Sequence, residues 1–385
     1  MVLVAGCYQP TAELPCTVTC GLANLCPGEL TCDTSDHVCK RNGSCDPSPT
    51  DAHGADVPDL PGDELGLSCF GHDDGLGQIC LTRVPSGAFV APSGTTIINT
   101  DIDARCQVDP LITGNVCVIA QEGIIISSGG VVRAHGTKPL VLIGASFINI
   151  DGLIDVSSSS PSGTGPGAGG DFPQCGFGVL PTNLGGGAGG SFMATGAFGG
   201  NGDNKGVGAG SPTPTASVLA LRGGCTGQTG DGPMGIAGGS GGGAVYLLSH
   251  GNVTLGQTGG INASGAGGPG GGNSRGGNGG GSGGLIGIDA NLITDAGGFL
   301  LANGGGGGCG GSSSDLGGPA GNPSHNGIPS GCTGSPAAGG TGGYFTSFAT
   351  AGAQGLQMAG GGGGGGAVGV IYLRPTGSTI ADRSP

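Results

Sequence analysis

Glycine comes in long runs in this chain, and those runs limit what it can fold into more than any other feature. Tracts span Gly265 to Gly284, Gly304 to Gly311 and Gly360 to Gly366, and Gly makes up 97 of 385 residues, against a usual share of about 7%. A stretch without side chains has no apolar face to bury, so it cannot be an ordinary amphipathic helix or a packed strand. Two readings remain: floppy linker, or extended segments of polyproline II type that bond backbone to backbone with their neighbours. The tracts run directly into apolar strands and lie near Cys309 and Cys332, which favours the ordered reading. No strict Gly-X-Y register holds, so collagen is excluded.

The rest of the composition narrows the class. Disorder needs low hydrophobicity and high charge, yet only 9% of residues are charged and mean hydropathy is slightly positive. A net charge of −14 with only 11 Lys plus Arg excludes nucleic-acid binding, which relies on cations displacing counterions from phosphate. An anionic membrane surface repels such a chain as well. The 15 Cys include no CxxC pair, and the six His are scattered. Zinc sites require close ligand pairs, so no metal or other cofactor is implied. The Cys pattern reads instead as a disulfide framework made in an oxidising compartment.

An odd number of Cys needs a reason. Val4-Ala5-Gly6-Cys7 resembles the bacterial lipobox, in which the Cys is lipidated and becomes the N-terminal residue. Only six residues precede Cys7, fewer than a signal peptide needs, so this reading places the true start upstream. The remaining 14 Cys could then pair. No segment approaches the roughly 18 apolar residues of a membrane-spanning helix, so the membrane is reached through the lipid alone.

Four regions follow: 1–7, the truncated signal and lipobox; 8–45, a Cys-rich module; 46–64, an acidic, Pro-rich linker; and 65–385, a Gly-rich body. The module holds Cys16, Cys20, Cys26, Cys32, Cys39 and Cys45 and is too small to fold without bridges. Its six Cys allow 15 connectivities. In the body, pairing by proximity joins Cys69 with Cys80, Cys106 with Cys117, Cys175 with Cys225, and Cys309 with Cys332.

The body reads as all-β. Short β-branched runs bounded by Gly occur at 95–100, 116–120, 124–126, 131–134 and 140–143, with no helical period. A motif repeats: Val132-Arg-Ala134-His-Gly136, Ile154-Asp-Val156-Ser-Ser158, Ile261-Asn-Ala263-Ser-Gly265 and Leu300-Leu-Ala302-Asn-Gly304. The first two copies lie 22 residues apart, comparable with one coil of a β-helix. Alternation of period 2 turns their apolar members inward. A second series reads Ala244-Val-Tyr-Leu-Leu248, Leu285-Ile-Gly-Ile288 and Ala367-Val-Gly-Val370. The expected fold is therefore a parallel β-helix-like solenoid with the Gly tracts as excursions from it.

The lipobox, Cys-rich module, acidic linker and phrases such as GGSGGGAVYLL, ANGGGGG and GGGGGGAVGVIYL together resemble the glycine-rich surface lipoproteins of predatory, gliding deltaproteobacteria. The resemblance spans nearly the whole chain. It implies an exported, lipid-anchored protein of the outer membrane or cell surface and carries no activity with it.

Chemistry is sparse in the sequence. Asp101-Ile-Asp103 is the best carboxylate pair, since alternate strand residues share a face; Asp151, Asp155, Arg133 and His135 are possible partners for a polysaccharide lyase or hydrolase. His72-Asp73-Asp74 could hold a cation but reads as a solvated loop. There is no GxSxG nucleophile elbow, HExxH or Walker lysine, and with no Trp there is little surface on which a sugar could stack. The sequence thus points to a non-enzymatic structural or adhesive protein that meets envelope polymers or other surface proteins. A polysaccharide-active enzyme using Asp101 and Asp103 is the alternative.

Overall fold

The computed structural model describes residues 31–33, 38–40 and 68–375, apart from 73–74, 113, 159–165, 172–174, 177, 204–205, 211–219, 232–236, 273–274, 312–336, 346 and 357–358. Two compact units divide the chain, Met1–Leu65 and Gly66–Pro385. In the first, β1 (Thr31–Asp33) pairs antiparallel with β2 (Val38–Lys40), placing Cys32 opposite Cys39. The expected lipidation at Cys7, the bridges of Cys16, Cys20, Cys26 and Cys45, and the linker 46–64 lie outside the described residues.

The second unit opens with an antiparallel hairpin of β3 (Ser68–Phe70) and β4 (Ile79–Leu81), closed by the Cys69–Cys80 disulfide. Strands then alternate between two sheets. One sheet takes β5 (Ala88–Ala91), β7 (Cys117–Ile126), β9 (Leu140–Ile150), β11 (Ala244–Leu255), β13 (Leu285–Asp295) and β15 (Val370–Pro375), stacked in that order. The other takes β6 (Gly94–Asn99), β8 (Gly130–His135), β10 (Leu153–Asp155), β12 (Gly260–Asn262) and β14 (Phe299–Leu301). Every neighbour in both sheets is parallel, and neither sheet closes on itself. No helix occurs among the described residues.

The sequence motif maps onto this stack. Ile154 is in register with both Val132 and Ile261, and Ile261 with Leu300. Val132, Ala134, Ile154, Val156, Ile261 and Ala263 are fully buried, facing Leu140, Leu142, Val245, Leu247, Ile286 and Ile288 across the core. Each such Ile or Leu contributes about 1.5–3 kcal/mol by leaving water. The intervening residues reach solvent only in part: Arg133, His135 and Asp155 are half-buried, whereas Ser157, Asn262 and Ser264 are buried.

The second series needs a correction. Leu285 pairs with Ala244 as expected, but its partner in β15 is Val370 and not Ala367. The backbone of Ala367 instead donates to Gly190 in the glycine tracts. The longer-strand sheet is buried on both faces over 244–248, because Phe70, Leu76 and Leu81 of the hairpin region pack on Val141, Ile143, Tyr246 and Leu248. That double burial explains the unbroken apolar run AVYLL.

The glycine tracts lie between strands of the two sheets and form an ordered lattice. Along 361–367 the donors turn with a period of three. Gly361, Gly364 and Ala367 donate to Leu184, Gly187 and Gly190; Gly362 and Gly365 to Ala353 and Thr350; Gly363 and Gly366 to Gly308 and Gly305. The carbonyls follow the same rule, accepting from Gly277, Gly280 and Gly283, from Gly200 and Ala197, and from Gly340 and Gly343. Six segments thus surround one. Residues 277–284 are surrounded in the same way, by 361–367, 187–190, 225–228, 239–242, 263–269 and 305–308. Three residues per turn with no internal hydrogen bonds is polyproline II geometry, and the ordered reading of the tracts accounts for these bonds.

Candidate functional site

Asp101 and Asp103 do not form a carboxylate pair on one strand face. β6 ends at Asn99, whose side-chain Oδ1 accepts from the Asp101 backbone N–H and whose carbonyl accepts from Asp103 N–H, so both acids sit in a turn. The physical reason is the Asx turn, which Asn favours over continuing a ladder. Each carboxylate then has its own task. Asp101 accepts from the backbone N–H (3.0 and 3.1 Å) and hydroxyl (2.6 Å) of Thr137. Asp103 is forked by Arg105 Nε and Nη2 at 2.8 and 2.6 Å. That guanidinium holds the Asp103 carboxyl below the usual carboxylate range, and Asp103 in turn raises Arg105. The two carboxylates are thus engaged separately, Asp101 by Thr137 and Asp103 by Arg105.

The other sequence candidates meet elsewhere. Arg133 and Asp155 stand in register on β8 and β10 and form an ion pair. Arg133 Nη1 also donates to Ser157 Oγ at 3.0 Å, and Asp155 Oδ1 accepts from Ser157 N–H and Oγ–H at 3.0 and 2.6 Å. This ladder staples adjacent strands. Asp151 instead lies at the turn after β9, where its carbonyl accepts from Thr258 Oγ1, and His135 ends β8.

His72 is not part of a free loop. Its Nδ1–H donates to Asp289 at 2.9–3.0 Å, and Asp289, only 2% exposed, also accepts from Tyr246 Oη at 3.3 Å. Burial, and next the Asp289 charge, push the Tyr246 phenol well above its ordinary value, so it remains a donor. An Asp–His pair can orient an imidazole for catalysis, but among the described residues no nucleophile hydrogen-bonds to this ring. The cluster clamps the His72 segment onto β11 and β13. Nothing in the sequence marked Asp289 except an acid inside the apolar run LIGIDANL.

Beside the hairpin lies a cleft of about 590 Å³, lined in part by Leu76, Ile79, Thr137, Asp171, Arg222 and Tyr246. Arg222 is 4% exposed, lies 4.5 Å over the Phe192 ring and donates to Cys225 Sγ; burial lowers its pKa. Asp171 is already bound by Thr226 Oγ1 and Gly241 N–H, both at 2.6 Å. Among the described residues, the cleft lining offers no pair of carboxylates free to act as acid and base.

No protein-family model, curated protein or solved structure matches the chain. Disulfides join Cys69 to Cys80, Cys106 to Cys117 and Cys175 to Cys225, as proximity suggested. Cys309 is also disulfide-bonded, and Cys332 lies outside the described residues. Multiple bridges indicate an oxidising, extracytoplasmic environment.

Proposed function

We propose that this is an exported cell-surface protein with a structural or adhesive role, its body a β-solenoid whose coils extend into the glycine lattice. On this reading Cys7 carries the lipid anchor, residues 46–64 form a spacer, and the body meets envelope polymers or neighbouring surface proteins. The likeness to glycine-rich deltaproteobacterial lipoproteins supports the location. The observation that carries the role is that Asp101, Asp103 and Asp155 are each tied into a turn or a strand staple, while the described glycine tracts form a nearly uncharged, hydrogen-bonded backbone lattice. Such a region supplies a surface and not a reaction centre.

The test uses the whole chain with purified envelope polysaccharide and peptidoglycan. Co-sedimentation with at least one polymer, and no turnover by the wild type, is the expected outcome. Turnover by the wild type that disappears in Asp101→Asn/Asp103→Asn would replace this reading with the enzymatic one.

A further inference from the structure

The glycine lattice is complete around 277–284 and 361–367, and one of the faces at which its described bonds end is formed by 197–201 and 350–355. In the first of these segments, Ala197, Gly199 and Gly200 donate to Gly365, Ala209 and Gly362. Phe198 and Asn201, three residues apart, have no acceptor for their backbone N–H among the described residues. In the second, Thr350 and Ala353 donate to Thr341 and Ala338, and Gly352 and Gly355 donate to Phe198 and Asn201. Ala351 and Gln354, again three apart, donate to nothing described, and the carbonyls of Ala351, Gly352 and Gln354 accept nothing described.

Most of these positions are exposed, as are the bonded Thr350 and Ala353 beside them. Asn201, Ala351 and Gln354 are exposed, Phe198 is 61% exposed, and the flanking Phe348 and Leu356 are 82% and 61% exposed. The face is therefore the polyproline II counterpart of an open strand edge: donors and acceptors with no partner among the described residues repeat about every 9 Å, the advance of three residues at ~3.1 Å each. Large apolar side chains lie among them.

Charge and chemistry choose the occupant. Residues 175–202 and 337–373 contain no Asp, Glu, Lys, Arg or His, although the chain carries −14. Two copies repel each other through most of their acidic surface but not here. A proline-rich peptide offers carbonyls but lacks N–H groups, so it would leave the free carbonyls of Ala351, Gly352 and Gln354 unmet. A segment of this same lattice brings both donors and acceptors at the matching three-residue interval. We propose that this face docks against the same face of a second copy, continuing the lattice across a symmetric dimer. The inference rests on the lattice edge and stands apart from the adhesive role.

Sedimentation velocity of the full disulfide-bonded chain over a concentration series tests it. Reversible dimerisation is expected, and Ala351→Glu or Phe198→Glu should weaken it at least about tenfold, because like charges then meet at the interface centre. Gln354→Pro, which removes one N–H without adding charge, should weaken it less. Circular dichroism and thermal unfolding of each variant establish that the fold is kept. A wild type that stays monomeric at every concentration overturns the proposal. So does association that all three folded variants retain, which would place the contact elsewhere on the chain.

Discussion

Replacing Gly280 by valine is expected to destabilise the second unit by at least about 3 kcal/mol, the upper range for forcing volume into a packed interior. A Cβ at Gly280 would lie 2.0 Å from the Gly305 carbonyl oxygen and 2.6 Å from its carbon. Both obstacles are backbone and cannot turn aside as a flexible side chain could. The neighbour that must move is itself bonded, since Gly305 N–H donates to Gly281, so relief at one site breaks bonds at the next. Gly176 is the control: a Cβ there meets nothing within 4 Å, and Gly176→Ala should change stability by less than about 0.5 kcal/mol. Thermal unfolding followed by circular dichroism separates the two. Equal tolerance of both substitutions would mean that the lattice is not closely packed.

The second large effect is expected from Cys175→Ser/Cys225→Ser. This disulfide spans 50 residues, and the loop-closure relation gives about 4 kcal/mol of stabilisation for a separation of that size. The Cys69–Cys80 bridge spans 11, for which the same relation gives about 3 kcal/mol. Beyond closure, Cys225 is only 3% exposed, its N–H donates to Ser282 Oγ at 2.8 Å, and its carbonyl accepts from Ser282 N–H. The bridge therefore ties the region around Cys175 to a neighbour of the lattice interior. The unfolding midpoint of the double variant in guanidinium should fall further than that of Cys69→Ser/Cys80→Ser. The reverse order would show that the 175–225 region is held without its bridge.

How much of this was legible in the sequence depends on whether a side chain marks the position. The motif at Val132, Ile154, Ile261 and Leu300 was readable because stacked parallel strands repeat the same inward residue in the same register. Disulfide partners were readable from proximity in the chain for Cys69, Cys106 and Cys175. The register of β15, which pairs Val370 and not Ala367 with Leu285, is not legible because Gly360 to Gly366 gives no cue to where lattice ends and ladder begins. Asp101 and Asp103 look like strand neighbours by spacing; the overlooked cue was Asn99, which can end a strand through its own side chain. The six-neighbour packing of the tracts was beyond reach for the same reason that it works. Its specificity lies in the direction of successive N–H and C=O groups, and a run of glycines is silent about direction.

The described glycine tracts are a hydrogen-bonded lattice. Native-state hydrogen exchange of the intact, oxidised chain, read by mass spectrometry on peptides covering 277–284 and 361–367, tests it most directly. These amides should exchange as slowly as those of β9 and β11, opening only with the unit as a whole. Exchange at the rate of an unstructured chain in those peptides, with β9 and β11 still protected, would contradict the lattice and return the tracts to flexible linker.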